Sequence, residues 1–228
     1  MYHASSMSAP ATDKVVFGQV PSTAAEEAYS FHRSITLTNE HIWPREAHEI
    51  QNFATNGELF GAWRGNLSPF VCMCYVKSDA DGKEFEFGGL STAPDKKGVG
   101  IATALTNFAL AYTLVYSSPS SPRQIIAHVH ESNNEPRGLL QKVGFQFSER
   151  VEYSGSGIPP TMKRNEAGNV VGDKFHFTID GIHRICAWFT KEFRGILRDG
   201  TRAEFDLGPE ATLDELKRAL MEFAASLD

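Results

Sequence analysis

Residues Leu90 to Leu105 read LSTAPDKKGVGIATAL. The apolar run leading into them, Phe85 to Leu90, has the composition of a strand and breaks at Pro94. A short basic turn bearing two glycines follows, Lys96 to Gly100. A helix comes next, with Leu105, Phe108 and Ala109 among its apolar positions. A strand that delivers a glycine turn to a helix start favours anions. The first helical N–H groups have no partner inside the helix, and the macrodipole adds partial positive charge there. Gly98 and Gly100 let the backbone approach a phosphate closely, and Lys96 and Lys97 add charge. The stretch predicts a pyrophosphate cradle over Lys97, Gly98, Val99, Gly100, Ile101, Ala102 and Thr103.

Two common nucleotide motifs do not fit. No GxxxxGK[ST] string occurs, and a dinucleotide fingerprint starting at Gly98 and Gly100 would need a small third residue where Thr103 stands. The string does resemble the acetyl-CoA motif of the GNAT N-acetyltransferase superfamily, [QR]xxGx[GA], which follows a strand ending in V-x-P. Lys97, Gly100 and Ala102 fall on its defining positions, with Lys97 replacing the usual Gln or Arg. Leu90, Thr92 and Pro94 fall on the strand end. A second block, NNEPRGLLQKVGF, begins at Asn133 and is similar to the family's N-x-x-A-x-x-L-Y-x-K-x-G-F pattern at Leu139, Lys142, Gly144 and Phe145. Pro136 and Leu140 depart from it. The resemblance spans roughly Val15 to Thr178.

Composition bounds the rest. A chain of 228 residues with 41% hydrophobic and 22% charged content suits a globular domain with an appendage. No run approaches the ~20 apolar residues of a membrane span, so no membrane partner is expected. MYHASSMSAPATD is not a secretory signal and reads as a disordered tail over residues 1–13. A net charge of −6 argues against nucleic acid and mildly favours cationic acceptors. Cys72, Cys74 and Cys186 make no disulfide framework and predict a reducing, cytoplasmic setting. Cys72 with Cys74, and His128 with His130, read as core or surface pairs rather than metal ligands, so no metal is expected.

The elements fall in the order of an α/β layered protein. Val15 to Val20 is a strand. Thr23 and Glu26 form a capping box before a helix over Ala24 to Ile35. A second helix runs from Pro44 to Ala54 and stops near Asn56-Gly57. Strands are predicted over Leu59 to Trp63, Phe70 to Val76 and Glu84 to Leu90, the last entered by a turn over Asp79 to Gly82. The helix from Gly100 ends before a Ser/Pro loop, Ser117 to Pro122. Gln124 to His130 is a strand, Pro136 to Val143 a helix and Phe145 to Tyr153 a strand. Gly155 to Gly172 reads as a long loop before Lys174 to Thr178. The GNAT resemblance implies a mixed, mostly antiparallel central sheet flanked by helices over residues 14–179. The extension, residues 180–228, holds a segment, Ile182 to Phe193, that could be helix or strand. A hairpin turning at Asp199-Gly200 follows it. A helix capped by Thr212 and Glu215 ends the chain, with Leu213, Leu216, Leu220 and Phe223 on one face. That stripe packs on its own domain, forms a homodimer contact or covers the acceptor site; the chain is read as monomer or homodimer.

The resemblance implies acetyl transfer from acetyl-CoA to a primary amine of a small molecule or protein. Leu90 and Thr92 would pair with the pantetheine arm, Gly88-Gly89 would let the strand splay, and a backbone N–H near Leu90 would meet the developing oxyanion. Asn133 would add a polar contact to the cofactor. A base is needed because an alkyl amine is mostly protonated at neutral pH. Glu86 is the first candidate, Glu84 the second and His130 the third. Leu140, where the family carries a tyrosine, cannot donate a proton. Either the thiolate leaves unaided, or Tyr153 or Ser132 substitutes, or the chain is a non-catalytic acyl-CoA-binding module. Asn39, Glu40, Trp43 and Tyr153 are candidates to line the acceptor site.

Overall fold

The structure, a computed structural model, describes residues 14–79, 84–117, 124–209 and 211–227. The predicted tail, most of the turn over Asp79 to Gly82 and most of the Ser117 to Pro122 loop lie outside the described residues. The strands are β1 (Lys14–Gln19), β2 (Leu59–Trp63), β3 (Phe70–Ser78), β4 (Glu84–Thr92), β5 (Gln124–His130), β6 (Phe145–Tyr153), β7 (Val170–Phe177) and β8 (Arg202–Asp206). The helices are α1 (Ala25–Thr36), α2 (Ala47–Thr55), α3 (Ile101–Tyr116), α4 (Asn134–Val143), α5 (Ile179–Ala187) and α6 (Leu213–Ala225). The strands make one sheet ordered β6-β7-β5-β4-β3-β2-β1-β8. Its pairs are antiparallel except β4 with β5 and β1 with β8.

Both faces of the sheet are covered, which is why β2 and most of β3 are continuously buried rather than alternating. Ala25, Ala28, Ile50 and Phe53 of α1 and α2 pack on Leu59, Met73 and Tyr75 on one face. On the other, Ile101, Leu105 and Phe108 of α3, with Leu140 of α4, pack on Val15, Phe60, Phe85 and Phe87. Each such Leu or Phe, fully buried, stabilises the fold by about 1.5–3 kcal/mol. β4 alternates where it matters: Phe85 and Phe87 are buried, while Glu84 and Glu86 are half-buried.

Four local expectations change. The Thr23–Glu26 capping box is not made, because α1 is entered through a 3-10 turn, Ser22–Ala24. Pro21 carbonyl accepts the Ala24 N–H at 2.9 Å, so Thr23 already lies within the turn. Helix α2 starts at Ala47, not Pro44. Glu46 is extended and caps it, its own N–H donating to Glu49 Oε2 at 2.9 Å. Arg45 is thereby left outside the helix. Strand β7 starts at Val170, because Val170 to Gly172 pair with Val151 to Tyr153 of β6. The predicted hairpin keeps its turn, with Leu197 N–H donating to Thr201 O at 2.8 Å, but its arms share only the bridge Ile196 to Arg202. β8 instead adds in parallel to the edge of β1, where Phe205 stacks on Phe17 at 5.3 Å.

Ile182 to Phe193 resolves as helix: α5 runs straight into a wider turn, Trp188–Glu192. Thr212 and Glu215 do cap α6. Leu216, Leu220 and Ala224 of α6, with Ile182 and Ile185 of α5, belong to the same buried cluster as α3. No helix among the described residues is long and apolar enough to cross a membrane.

Candidate active site

The site begins where two parallel strands part. β4 pairs with β5 from Glu84–Gln124 to Phe87–Ala127, and the recorded pairing stops there. β4 continues against β3 through a bulge, in which Gly89 and Leu90 face the single residue Cys74. Gly89 takes φ +61. β5 turns instead to β7, reaching His130–Gly172. The wedge between them opens into two cavities of about 430 and 450 Å³, which meet at Ile42, Leu90, Asn133 and Pro136.

The first cavity ends at the start of α3. Gly100 is the N-cap with φ 98 and no side-chain cap, and the first turn holds no acidic residue. The helical ladder starts only at Ala104 N–H to Gly100 O, which leaves the N–H groups of Ile101, Ala102 and Thr103 without a helical partner. A Cβ on Gly98 or Gly100 would project into open space, so it is the positive φ, 81 and 98, that requires glycine there. Leu90, Thr92, Lys97, Gly98, Gly100, Ile101, Ala102, Thr103 and Asn133 all line this cavity. Val99 does not: its side chain packs on the core, and its carbonyl accepts the N–H of Arg198 at 3.0 Å. Lys97 Nζ rests on Glu135 Oε2 at 2.8 Å across the mouth. Arg198, on the turn before β8, lines the cavity too, with Nη1 3.4 Å from Gly98 O. Nothing in the local sequence pairs position 198 with position 98; only the fold does.

Asn133 sits between the two cavities as the N-cap of α4, with its side chain not used for capping. The start of that helix is pinned to β7. Arg137 Nη2 lies 2.8 Å from the buried Asp173 Oδ2 and donates to Glu131 O at 2.8 Å.

The second cavity contains Glu86, His130 and Tyr153. Glu86 Oε2 lies 2.8 Å from Lys77 Nζ, and Oε1 lies 3.9 Å from His128 Nδ1. Burial would raise the Glu86 pKa, but His128, Lys77 and the charge of Arg45 outweigh it and bring it down to about 2. Glu84 does not line either cavity and faces Lys174 at 3.9 Å. His130 is locked on both nitrogens. Nε2 faces Lys163 O at 3.0 Å, so it carries the proton, and Nδ1 accepts the Ser132 N–H at 3.2 Å. It keeps no free lone pair for a substrate. Ser132 Oγ is 3.0 Å from the same Nδ1 and lies outside this cavity. The Tyr153 ring packs against Trp43 at 6.0 Å and His128 at 6.2 Å, and burial with the nearby Glu86 raises its pKa. Trp43 lines the second cavity; Asn39 lines the first, and Glu40 sits behind, its carbonyl accepting Lys163 N–H at 3.1 Å.

Several lining residues escaped the sequence reading. His128 reads in the sequence as a core or surface residue paired with His130, yet β4–β5 pairing brings it to Glu86. The His41 ring lies tilted against His130 at 5.0 Å, and burial together with His130 lowers its pKa. Arg45 donates to Glu49 Oε1 at 3.0 Å and to Tyr75 Oη at 2.5 Å. Tyr75 was hidden in an apolar run; its one signal was a hydroxyl that needs a partner once buried.

No protein-family model matches the sequence, and no curated protein does. Solved structures do. An acetyltransferase of the GNAT family from Streptococcus pneumoniae superposes with a TM-score of 0.55 at 11% identity, covering 72% of this chain and 100% of its own. The chain has the GNAT acetyltransferase fold. A putative acetyltransferase from Acinetobacter baylyi gives 0.57 at 15% identity, over 75% of this chain and 94% of that one. A GNAT superfamily phosphinothricin acetyltransferase from Sinorhizobium meliloti, solved in complex with AcCoA, gives 0.54 at 13%, over 73% and 88%. At these identities the GNAT likeness is one of architecture, and the chemistry rests on the residues above.

Proposed function

We propose that this protein is an acetyl-CoA-dependent N-acetyltransferase that acts on a primary amine of a small molecule or a protein. The observation that carries the reading is a continuous wedge. It runs from the unpaired amides at the start of α3, past the parted backbone of Leu90, to the carboxylate of Glu86. The amides of Ile101 to Thr103, with Lys96, Lys97 and Arg198, suit a diphosphate. The exposed edge of Leu90 and Thr92 suits the amides of a pantetheine arm, and Asn133 suits a polar contact where the cavities meet.

In the second cavity an alkyl ammonium would be drawn to Glu86 and lose its proton before attack. A carboxylate held at about pKa 2 is a poor proton acceptor. We assign that step to His128, which Glu86 orients, while Glu86 holds the cation in place. The amine nitrogen then bonds to the carbonyl carbon, the carbon–sulfur bond breaks so that CoA leaves as its thiolate, and the surplus proton on the nitrogen passes to that thiolate. That thiolate needs no strong acid, so Leu140, buried where the family resemblance places a tyrosine, is compatible with turnover. Three free thiols, two of them buried, fit a reducing cytoplasmic setting.

Leu140 also supports a second reading, a non-catalytic acyl-CoA-binding module. Heating the protein with CoA and with acetyl-CoA, then following thiol release over a panel of amines, separates the two. We expect saturating CoA to raise Tm by several degrees and some amines to release thiol. Stabilisation without release from any amine would favour the binding module. No stabilisation would overturn both readings.

A further inference from the structure

The geometry points to the Tyr75 hydroxyl as a catalytic hydrogen-bond donor to the acyl carbonyl oxygen of the bound thioester. This rests on the acetyltransfer reading above and adds to it a side-chain donor that no motif contains.

Tyr75 lies on β3 opposite Gly88 of β4, at the bulge where β4 leaves β5. Its ring covers two glycines at once. A Cβ on Gly88 would meet Tyr75 Cζ at 2.6 Å, and one on Gly89 would meet Cε1 at 2.6 Å. The hydroxyl oxygen occupies the very space a Gly88 side chain would need. Tyr75, Gly88, Gly89 and Leu90 line the same cavity as Glu86. An acyl group reaching from the CoA chamber toward Glu86 therefore enters a cavity that Tyr75 lines.

The hydroxyl is also prepared to donate. Arg45 Nη2 donates to Tyr75 Oη at 2.5 Å, and Arg45 is anchored in turn by Glu49 at 3.0 Å. A guanidinium has only donors, so this bond uses a lone pair of Oη and leaves its proton unused. Among the described residues no hydrogen bond takes that proton. The cation pulls electron density from Oη and polarises the O–H, and with Tyr75 only 3% exposed there is little water to screen the effect. Burial and the neighbouring Glu86 also hold the phenol well above its ordinary pKa, so it stays a neutral donor.

No proton changes hands in this role. The amine lone pair forms the C–N bond, the carbonyl π pair moves onto oxygen, and Tyr75 O–H hydrogen-bonds that oxyanion. The pair then returns as the C–S bond breaks.

Tyr75→Phe tests this, since it keeps the ring against Phe53, Gly88 and Gly89 and removes only the oxygen. Isotope-edited infrared difference spectra of bound acetyl-CoA, labelled with carbon-13 at the carbonyl, need no acceptor. We expect the carbonyl band at lower frequency in wild type than in Tyr75→Phe, with CoA affinity within about threefold. With any amine that turns over, we expect kcat to fall by roughly a hundredfold. Should Tyr75→Phe fail to fold around the unmet Arg45, difluorotyrosine at position 75 replaces it. Its more acidic hydroxyl should move the band further down. A band that does not move in either protein, or kcat in Tyr75→Phe within threefold of wild type, overturns the role of Tyr75. A protein that binds no acetyl-CoA at all overturns the underlying reading instead, and Tyr75's role with it.

Discussion

Glu86 and His32 show how single environments set the acid limit of this fold. Burial leaves His32 uncharged, its pKa lowered to about 4 from 6.5, with Nδ1 3.3 Å from Ser91 Oγ. The unfolded chain binds that proton more readily, so stability falls as pH drops from 6.5 toward 4. Glu86 acts lower down. Its folded pKa of about 2 lies below the ordinary 4.5, so its contribution is complete above 4.5 and is lost between 4.5 and about 2. Glu86→Gln should therefore flatten only the lower part of a stability-versus-pH curve measured by urea unfolding. Loss of the upper part instead would mean that another group is being read. The same variant should lower acetyl transfer at least tenfold near neutral pH, because His128 loses its orienting anion and the amine its counter-charge. Unchanged turnover would remove Glu86 from the chemistry.

Element by element, the strand-to-helix device at residues 90–105 was legible because everything it needs is local. Gly100 has φ 98 and no side-chain cap at the start of α3. The strands at Leu59–Trp63, Gln124–His130 and Phe145–Tyr153 were equally plain from composition and bracketing turns. What the chain does not reveal locally is which elements become neighbours. His128 meets Glu86 only through β4–β5 pairing, Tyr75 meets Gly88 only through a bulge, and Arg198 meets Gly98 from a hundred residues away. Arg45 was misread as helical because Pro44 suits a first helical turn, whereas the stronger cap at Glu46 wins. The Arg198 turn carries its own prediction. Arg198→Ala should weaken CoA binding about tenfold by calorimetry, more at low salt, with the Tm of the free protein unchanged. Unaltered affinity would show that the turn only abuts the cradle.

At the scale of the molecule, the last fifty residues are not ornament. Leu220 is fully buried against the cluster that holds α3, and β8 extends the sheet beyond β1. Leu220→Ala should cost about 2–5 kcal/mol in urea unfolding and leave one cooperative transition. An appendage would instead melt separately and leave the main transition where it was. The twin chambers have a consequence for traffic. Because the two linings share only Ile42, Leu90, Asn133 and Pro136, the proposed reading puts carrier thiol and amide product in different chambers. On that reading, spent carrier would depart without waiting for the newly capped nitrogen to clear.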